Sequence, residues 1–362
     1  MKNETRKLFN AYLDDVATLN HIDPDTVRSG LKFSVDPEVS IALEEIIAEE
    51  VGFLSRISNT EEEEQQGKVA GMEMGTPITS TTDTTIDERE AIDPQNTGFI
   101  NEYYCKQTNF DTAMRYEMLD KWRHRPEFAS IYAAMLGKRK GRDRIMVGWN
   151  GIERAAKSDR AANPDLKDVA KGWLQKLREY QNGTQVLTAG RQEPGEIRIG
   201  YKVKVGAGTE TKGDYANIDA AVLDLMDGKI AEWYQDDTDM VVIVGRHLMH
   251  DKEFSLAQNN LSATEHKAAL DIIVGNKTVG GMPAIRVPFF PPRGILVTSL
   301  DNLDITRQRG TDRRNIIDNP KRDQIEDYQS LNIDWCIKDF TRIAYMESSK
   351  VKLLNELTGA WV

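Results

Sequence analysis

The pattern of apolar positions along the chain predicts several amphipathic helices. Residues 5–22 place apolar side chains at helical spacing on one face, namely Leu8, Phe9, Tyr12, Leu13, Val16 and Leu19. A second helix is predicted after Asp36, which suits an N-cap, and Pro37, which suits the first helical position. Residues 115–149 predict a long helix of about twenty residues or more. Residues 163–178 predict a further amphipathic helix that starts at an Asn-Pro pair.

Other stretches have the patterns of strands. Residues 240–244 form a continuous apolar run before a glycine, which indicates a buried strand followed by a turn. From residue 331 to residue 337 every second residue is apolar, which is typical of a half-buried strand. Shorter strands are predicted at 284–287 and 294–297. These elements predict an α+β protein with one mixed domain over residues 200–325 and another built from the long helix and the last strands.

A polar excursion separates the first helices from the rest of the chain. Residues 58–101 are rich in Gly, Thr, Ser, Glu and Asp and cannot build a core of their own. The stretch MEMGTPITSTTDTT at 72–85 carries the β-branched residues and turn residues of a hairpin. We therefore expect a long projecting loop with two extended arms, and the alternative is a disordered linker.

Composition and charge exclude several classes of protein. The chain has 47 Lys and Arg against 58 Asp and Glu, a formal net charge of -11, which argues against a general attraction to nucleic acid phosphate. Its 2 cysteines lie far apart and have no zinc-type spacing, so reduced thiols are expected. No apolar run approaches the roughly 18 residues that a membrane span needs, and no export signal is evident.

Three features could carry chemistry, but each also has a structural explanation. Gly245 follows a strand, as in a dinucleotide-binding turn, yet the GxGxxG spacing is missing, so we expect it to relieve a tight strand-to-helix turn. His247 and His250 could share a helix face as metal ligands, but no third ligand is identifiable. No nucleophile elbow, P-loop, HExxH motif or paired carboxylates occur. We therefore expect no catalytic residue, no metal site and no cofactor.

The third feature is a basic run within the long predicted helix, consisting of Lys138, Arg139, Lys140, Arg142 and Arg144. It could bind phosphate, but neither interleaved aromatic residues nor a nucleic-acid motif accompany it. Pairing with the Glu-rich stretch 61–64 of a neighbouring copy, or exposure to solvent, explains the run equally well.

Six stretches along nearly the whole chain resemble a single protein family. In order they are NETRKLFNAYL near the start, SVDPEV at 34–39, STTDT at 80–84, MVGWNGIERAAKSDRAANPDLKDVAKGWLQKLR at 146–178, DDTDMVVIVGRHL at 236–248 and GMPAIRVPFFP at 281–291. Together they resemble the major capsid protein of P2-like tailed phages. The block at 146–178 is long enough to make the resemblance specific.

The resemblance implies the HK97-like phage capsid fold. That fold has an N-terminal arm, a projecting E-loop, a peripheral domain with a long spine helix, and an axial domain. The expected boundaries are 1–33 for the arm or a cleavable prosegment, 34–57 for the arm helix, 58–105 for the E-loop, 106–199 for the peripheral domain with its spine helix at 127–147, 200–325 for the axial domain, and 326–362 for the C-terminal strands of the peripheral domain.

The function implied by the resemblance is structural. Copies are expected to assemble as pentamers and hexamers into an icosahedral shell around the double-stranded DNA genome of a tailed phage. The expected partners are other copies of the chain, an internal scaffold and protease, the portal, and decoration or size-determining proteins. DNA would be enclosed without sequence-specific binding, no membrane would be involved, and the virion would be assembled in the bacterial host cytoplasm.

The resemblance also implies a cleavage site. In the family, a protease carried with the scaffold removes the N-terminal segment before a Thr- or Ser-Val-acid-Pro sequence. This chain has Ser-Val-Asp-Pro at 34–37, so the bond between Phe33 and Ser34 is the candidate maturation site. The alternative is an N-terminal arm that stays in place.

Two other functions remain open from the sequence. An internal scaffold or assembly protein would be mostly helical and would lack strands near 280–300 and 331–354. A soluble α/β enzyme that uses the strand before Gly245 would need ligand-binding residues that the sequence does not reveal.

Overall fold

The computed structural model describes residues 1–50, 52–69, 79–86, 88–89, 91, 101–122, 128–202, 211–249, 278–354 and 360–361. The chain forms two compact units, each assembled from three separate segments. The first unit contains Met1–Gly67, Tyr103–Gly172 and Asp304–Cys336, and the second contains Lys68–Glu102, Trp173–Leu303 and Ile337–Val362.

The long helices belong to the first unit, and their main features confirm the sequence predictions. The 23-residue helix α5 is the predicted long helix. Helix α3 begins where Asp36 was expected to cap it, since the backbone N–H of Glu38 donates to the Asp36 carboxylate at 2.9 Å. The helices are α1 (Asn3–Leu19), α2 (Pro24–Arg28), α3 (Pro37–Glu50), α4 (Tyr116–Trp122) and α5 (Phe128–Asn150) in the first unit, and α6 (Trp173–Glu179), α7 (Ile218–Lys229) and α8 (Glu232–Gln235) in the second.

The strands are distributed over both units. They are β1 (Phe33–Ser34), β2 (Ser58–Glu62), β3 (Gln66–Lys68), β4 (Glu102–Tyr104), β5 (Lys106–Asn109), β6 (Thr112–Arg115), β7 (Val186–Leu187), β8 (Ile197–Ile199), β9 (Tyr201–Lys202), β10 (Thr211–Lys212), β11 (Met240–Val244), β12 (Thr278–Val279), β13 (Met282–Ile285), β14 (Ile295–Ser299), β15 (Leu303–Gln308), β16 (Arg313–Asn319), β17 (Gln324–Ile337), β18 (Ile343–Met346) and β19 (Val351–Leu353).

The sheet of the first unit is built around the 14-residue strand β17. The strand order is β1-β16-β17-β15-β2, and β5 and β6 also pair with β17. Leu331, Ile333 and Trp335 are buried at alternate positions of β17, as the period-two pattern predicted. The indole N–H of Trp335 donates to the backbone oxygen of Arg144 at 2.9 Å, so the sheet is tied directly to α5.

The sheet of the second unit has the strand order β12-β13-β11-β14-β18-β7. Strand β11 lies between β13, which is parallel to it, and β14, which is antiparallel. All five residues of β11 are buried, which explains why this strand is a continuous apolar run rather than an alternating one. Helix α7 contributes Ile218, Ala221, Val222 and Leu225 to the same core. The short pairs β8 with β19 and β9 with β10 are separate from this sheet.

The predicted helix over residues 163–178 is wrong for most of its length, because only Trp173–Glu179 is helical. Leu166 has a left-handed backbone with φ of 56°, which interrupts any helix there. Farther along, the Gly172 N–H donates to the Gly151 oxygen at 3.0 Å. At Gly172 an added Cβ would lie 2.3 Å from a backbone oxygen of α5. This close approach holds the segment before α6 against the end of α5, so the long-range contacts override the local apolar period.

The structure requires a glycine at position 245 for a different reason from the one predicted. Residues 246–249 are helical, so a strand-to-helix turn does occur there. However, Gly245 does not have a left-handed backbone, and a Cβ at this position would come within 2.4 Å of the backbone of Pro292. Its N–H also donates to the Gly294 oxygen at 2.9 Å. The glycine is therefore required by close backbone packing rather than by conformational freedom.

Candidate assembly elements

The N-terminal segment, residues 1–36, is packed into the first unit. Helix α1 contributes Leu13, Val16 and Ala17 to a buried cluster that also contains Val27, Phe33, Val35, Tyr116, Ile316 and Ile325. The Thr5 hydroxyl donates to the Asp120 carboxylate at 2.6 Å. Each large apolar side chain buried in this way contributes roughly 1.5–3 kcal/mol. The segment is therefore a structural part of the folded subunit, although Leu8 and Leu19 of the predicted stripe remain exposed.

The candidate cleavage site lies in strand β1, at the edge of the first sheet. Phe33 pairs with Arg314 and Ser34 pairs with Arg313 in an antiparallel register. The Phe33 side chain is buried, whereas Ser34 is exposed. On the following residue, the Val35 N–H donates to the Asp312 oxygen at 2.9 Å. A protease that binds its substrate as an extended strand would need to displace β1 from β16 first.

Helix α3 is attached to the rest of the unit through a buried ion pair. Glu44 receives hydrogen bonds from both terminal nitrogens of Arg144 on α5, one of them at 2.8 Å. Arg307 on β15 brings a second guanidinium to 3.7 Å from the same carboxylate. Burial by itself raises the pKa of Glu44, but the charge and hydrogen bonds of Arg144 outweigh it and hold that pKa below its ordinary value. Glu44 is therefore ionised at neutral pH and joins α3, α5 and the sheet.

Lys140 lies one helical turn from Arg144 and also points inward. Its ammonium donates to the Gln329 side chain on β17 and lies 5.8 Å from the centre of the Phe110 ring. Burial, reinforced by the nearby positive charge of Arg144, lowers the pKa of Lys140 to about 8. Asp312 offsets part of this repulsion, although burial raises the pKa of the Asp312 carboxyl. The Ser40 hydroxyl of α3 donates to Asp312 at 3.2 Å.

The basic run is thus divided between the interior and the surface. Lys140 and Arg144 point inward, whereas Lys138, Arg139 and Arg142 are exposed. Arg139 forms an ion pair with Asp143 at 2.9 Å. Within the chain, Glu61 pairs with Arg307 rather than with this run. The sequence did not indicate which cations of the run point inward, because Glu44, which pairs with Arg144, and the exposed Glu45 are neighbours in the same stretch of α3.

The base of the polar excursion is anchored to the first sheet. Strand β2 runs parallel to β15 from Ser58 opposite Asp304 to Glu62 opposite Gln308. Beyond it, β3 and β4 pair with each other, so the chain leaves and returns at one place. This pairing agrees with a loop that has two extended arms at its base. Residues 70–78 and 92–100 lie outside the described residues, and they include the first half of the hairpin predicted at 72–85. The second half, residues 79–85, is described and contains no strand, so that half of the hairpin prediction is wrong.

The candidate metal ligands are not brought together with any third ligand in the described part of the chain. His247 lies in the short helix after Gly245, and His250 lies outside the described residues. No group of His, Cys, Asp and Glu side chains suited to a metal occurs among the residues searched, which were the described ones. Cys105 and Cys336 are both buried, and neither forms a disulfide. Among the described helices, none has the length and apolar character to cross a membrane.

Comparison with known proteins identifies the family. The profile described as "Phage major capsid protein, P2 family" matches residues 8–349. The chain belongs to this family. It is 41% identical to the "Capsid proteins" of Escherichia phage P2 over 352 residues, covering 97% of this chain and 96% of that protein. It is 33% identical to the major capsid protein of Serratia phage KSP20 over 353 residues, covering 96% of this chain and 97% of that protein.

A solved structure extends the similarity of this P2-family capsid protein to three dimensions. It is titled "Satellite phage P4 procapsid including size determination (Sid) protein", and its matching chain is 37% identical with a TM-score of 0.77. The match covers 98% of this chain and 100% of that chain. The α+β, HK97-like phage capsid fold expected from the sequence is confirmed. The protein is a major capsid protein, it assembles with copies of itself, and it is a component of the virion.

The scaffold alternative does not agree with the fold of this capsid protein. It required a mostly helical chain without strands near 280–300 and 331–354. Strands β13 and β14 occupy the first region, and β17, β18 and β19 occupy the second.

Proposed function

We propose that this major capsid protein assembles as pentamers and hexamers that close into an icosahedral shell around the double-stranded DNA of a tailed phage. The observation that carries the proposal is the match, over 98% of this chain, to a chain of the satellite phage P4 procapsid. The net charge of -11 supports the role, because a shell wall without excess cations does not retain DNA phosphates. The role is structural: it needs neither catalysis nor sequence-specific DNA binding, and it involves no membrane.

In this proposal, each part of the HK97-like fold corresponds to a defined range of residues. Residues 58–105 form the E-loop. The strands at the base of the loop support that assignment, since β2 pairs with β15 and β3 pairs with β4. Helix α5 is the spine helix, expected at 127–147, within the peripheral domain at 106–199. Residues 200–325 form the axial domain around β11, and residues 326–362 complete the peripheral domain.

Maturation by cleavage between Phe33 and Ser34 is part of the proposal. The Ser-Val-Asp-Pro sequence supports it, and the position of β1 at a sheet edge, paired on one side only, makes release of the strand feasible. The partners are an internal scaffold with its protease, the portal, and decoration or size-determining proteins, and assembly takes place in the bacterial host cytoplasm. Mass spectrometry of chains from purified particles tests the cleavage, since an intact Met1–Val362 mass in mature heads would refute it.

Electron microscopy of the purified protein, expressed alone and with its scaffold partner, tests the central proposal. Closed shells or capsomer rings are expected in at least one of the two preparations. A protein that stays strictly monomeric under both conditions would overturn the capsid function.

A further inference from the structure

Helix α3 turns its polar side inward and much of its apolar side outward. Its inner face carries Ser40, Glu44 and Ile47. Ser40 donates to Asp312, Glu44 forms the ion pair with Arg144, and Ile47 lies against Gly137 of α5. The outer face carries Glu38, Ala42, Glu45 and Ile46, all exposed, with Ile46 at 46%. We call these four residues the acidic face. Ile41 and Leu43, each 39% exposed, flank this face, so three large apolar side chains lie exposed on one helix. Apolar side chains grouped in this way are typical of a contact surface.

Helix α5 presents a complementary stripe to solvent. Ile131, Met135, Lys138 and Arg142 follow one another at spacings of four, three and four residues, so they lie on one face of the helix. All four are exposed, with Ile131 at 40% and Met135 at 66%. We call them the basic stripe. Its two apolar residues lie toward the start of α5 and its two cations follow, over a length of about 16 Å.

The two faces are matched in charge and in spacing. Glu38, Ala42 and Glu45 are four and three residues apart, which is the same repeat as in the basic stripe and the repeat by which helices pack side by side. With the two helices parallel and Ala42 opposite Met135, Glu45 lies opposite Lys138. An ion pair beside an apolar contact favours association and fixes its register. Within one copy the faces do not meet, because α3 and α5 contact each other through their inner sides, where Ile47 lies against Gly137.

We propose that the acidic face of one copy packs against the basic stripe of the next copy in the shell. The contact is heterologous, since two different surfaces of identical chains meet. Contacts of this type form a closed ring when the rotation from one copy to the next is a whole fraction of a turn. The inference rests on the proposed shell function and names one of the contacts that would build it. A single contact of this size is weak, but its repetition around a ring makes the assembly strong.

Charge reversal tests the contact. Glu45→Lys alone and Lys138→Glu alone are expected to lower the assembled fraction at least about tenfold, because like charges would face each other. The double variant is expected to return most of the assembly. Glu153→Lys and Lys157→Glu, which change exposed charges elsewhere in the first unit, serve as matched controls and should assemble as the wild type does. Thermal unfolding of the unassembled subunits checks that all variants are folded.

Disulfide cross-linking between introduced cysteines identifies the surface that contacts the acidic face. The two native thiols are buried, so Ala42→Cys with Met135→Cys should give a ladder of disulfide-linked copies in oxidised shells, and neither single variant should. A ladder from Ala42→Cys alone would mean that α3 packs on α3, and it would overturn the proposal. So would cross-links to the scaffold, or reversal effects that occur only when scaffold is present.

The same experiments separate this inference from the proposed function. If the wild type forms shells and both reversed variants form them equally well, the contact is refuted and the capsid function stands. If the wild type forms neither shells nor rings under any condition, the capsid function itself fails.

Discussion

The buried ion pair between Glu44 and Arg144 gives the sharpest prediction about stability. Glu44→Gln keeps the shape of the side chain but removes the charge that compensates Arg144, which is only 5% exposed. Removing one partner of a buried pair costs about 3–5 kcal/mol. The Glu44 side chain is 19% exposed, so the lower end of that range is expected. The free energy of unfolding of the unassembled subunit should therefore fall by about 3 kcal/mol.

Urea unfolding followed by tryptophan fluorescence measures this loss, since Trp149 and Trp335 are buried in the same unit. Glu45→Gln, on the exposed side of the same helix, is the matched control and should change stability by less than about 0.5 kcal/mol. Replacing both partners, with Glu44→Met and Arg144→Met, should be less destabilising than Glu44→Gln, because no buried charge is then left unpaired. Equal stability of Glu44→Gln and the wild type would refute the reasoning.

The pH dependence of the same loss follows from the direction of the pKa shift. The pKa of Glu44 is lower in the folded subunit than its ordinary value of 4.5. Its charge therefore contributes stability above about pH 4.5, and this contribution is lost as the pH falls through the folded pKa. The difference between the wild type and Glu44→Gln should shrink in acid.

Four further outcomes are expected. Burial lowers the pKa of Lys140 from 10.5 to about 8, so the free energy of unfolding of the wild type should rise by up to about 3 kcal/mol between these two pH values. Lys140→Met should abolish this rise, as urea unfolding at the two pH values would show. Gly245→Ala should lower stability by about 1–3 kcal/mol in thermal unfolding, and an unchanged midpoint would contradict the packing argument. Deleting residues 72–98 should leave a folded subunit that assembles poorly, whereas normal heads would refute the E-loop assignment. A protease specific for aromatic residues should leave the bond between Phe33 and Ser34 intact in the native subunit and cut it once mild urea releases β1, as mass spectrometry of the fragments would show.

The sequence predicted best the elements whose apolar pattern and tertiary position agree. Strand β11 is apolar throughout because both of its faces are buried, and β17 alternates along Leu331, Ile333 and Trp335 as expected. The helix predicted from residue 163 failed because the backbone near Gly172 must approach the end of α5. An apolar period carries no information about such a contact between distant segments.

The polar interior of the first unit was the least predictable part of the candidate assembly elements. The sequence predicted where helix α3 begins but not how it is oriented, since Glu44 faces inward and Ile46 faces outward. The inward position of Glu44 depends on Arg144 and Arg307, which are distant in the sequence and converge only in the folded subunit. Charge patterning within one helix therefore could not show which charges are buried.

The segmented construction of the two units has a consequence for the order of folding during synthesis. The sheet of the first unit needs residues 304–336, and the second unit needs residues 337–362, so neither core is complete until nearly the whole chain has left the ribosome. Contacts between residues so far apart in sequence form slowly, because a long loop must close before they contribute. Incomplete chains therefore lack the finished surfaces through which copies recognise one another. This delay limits premature association between nascent subunits on the same messenger RNA, where their local concentration is highest.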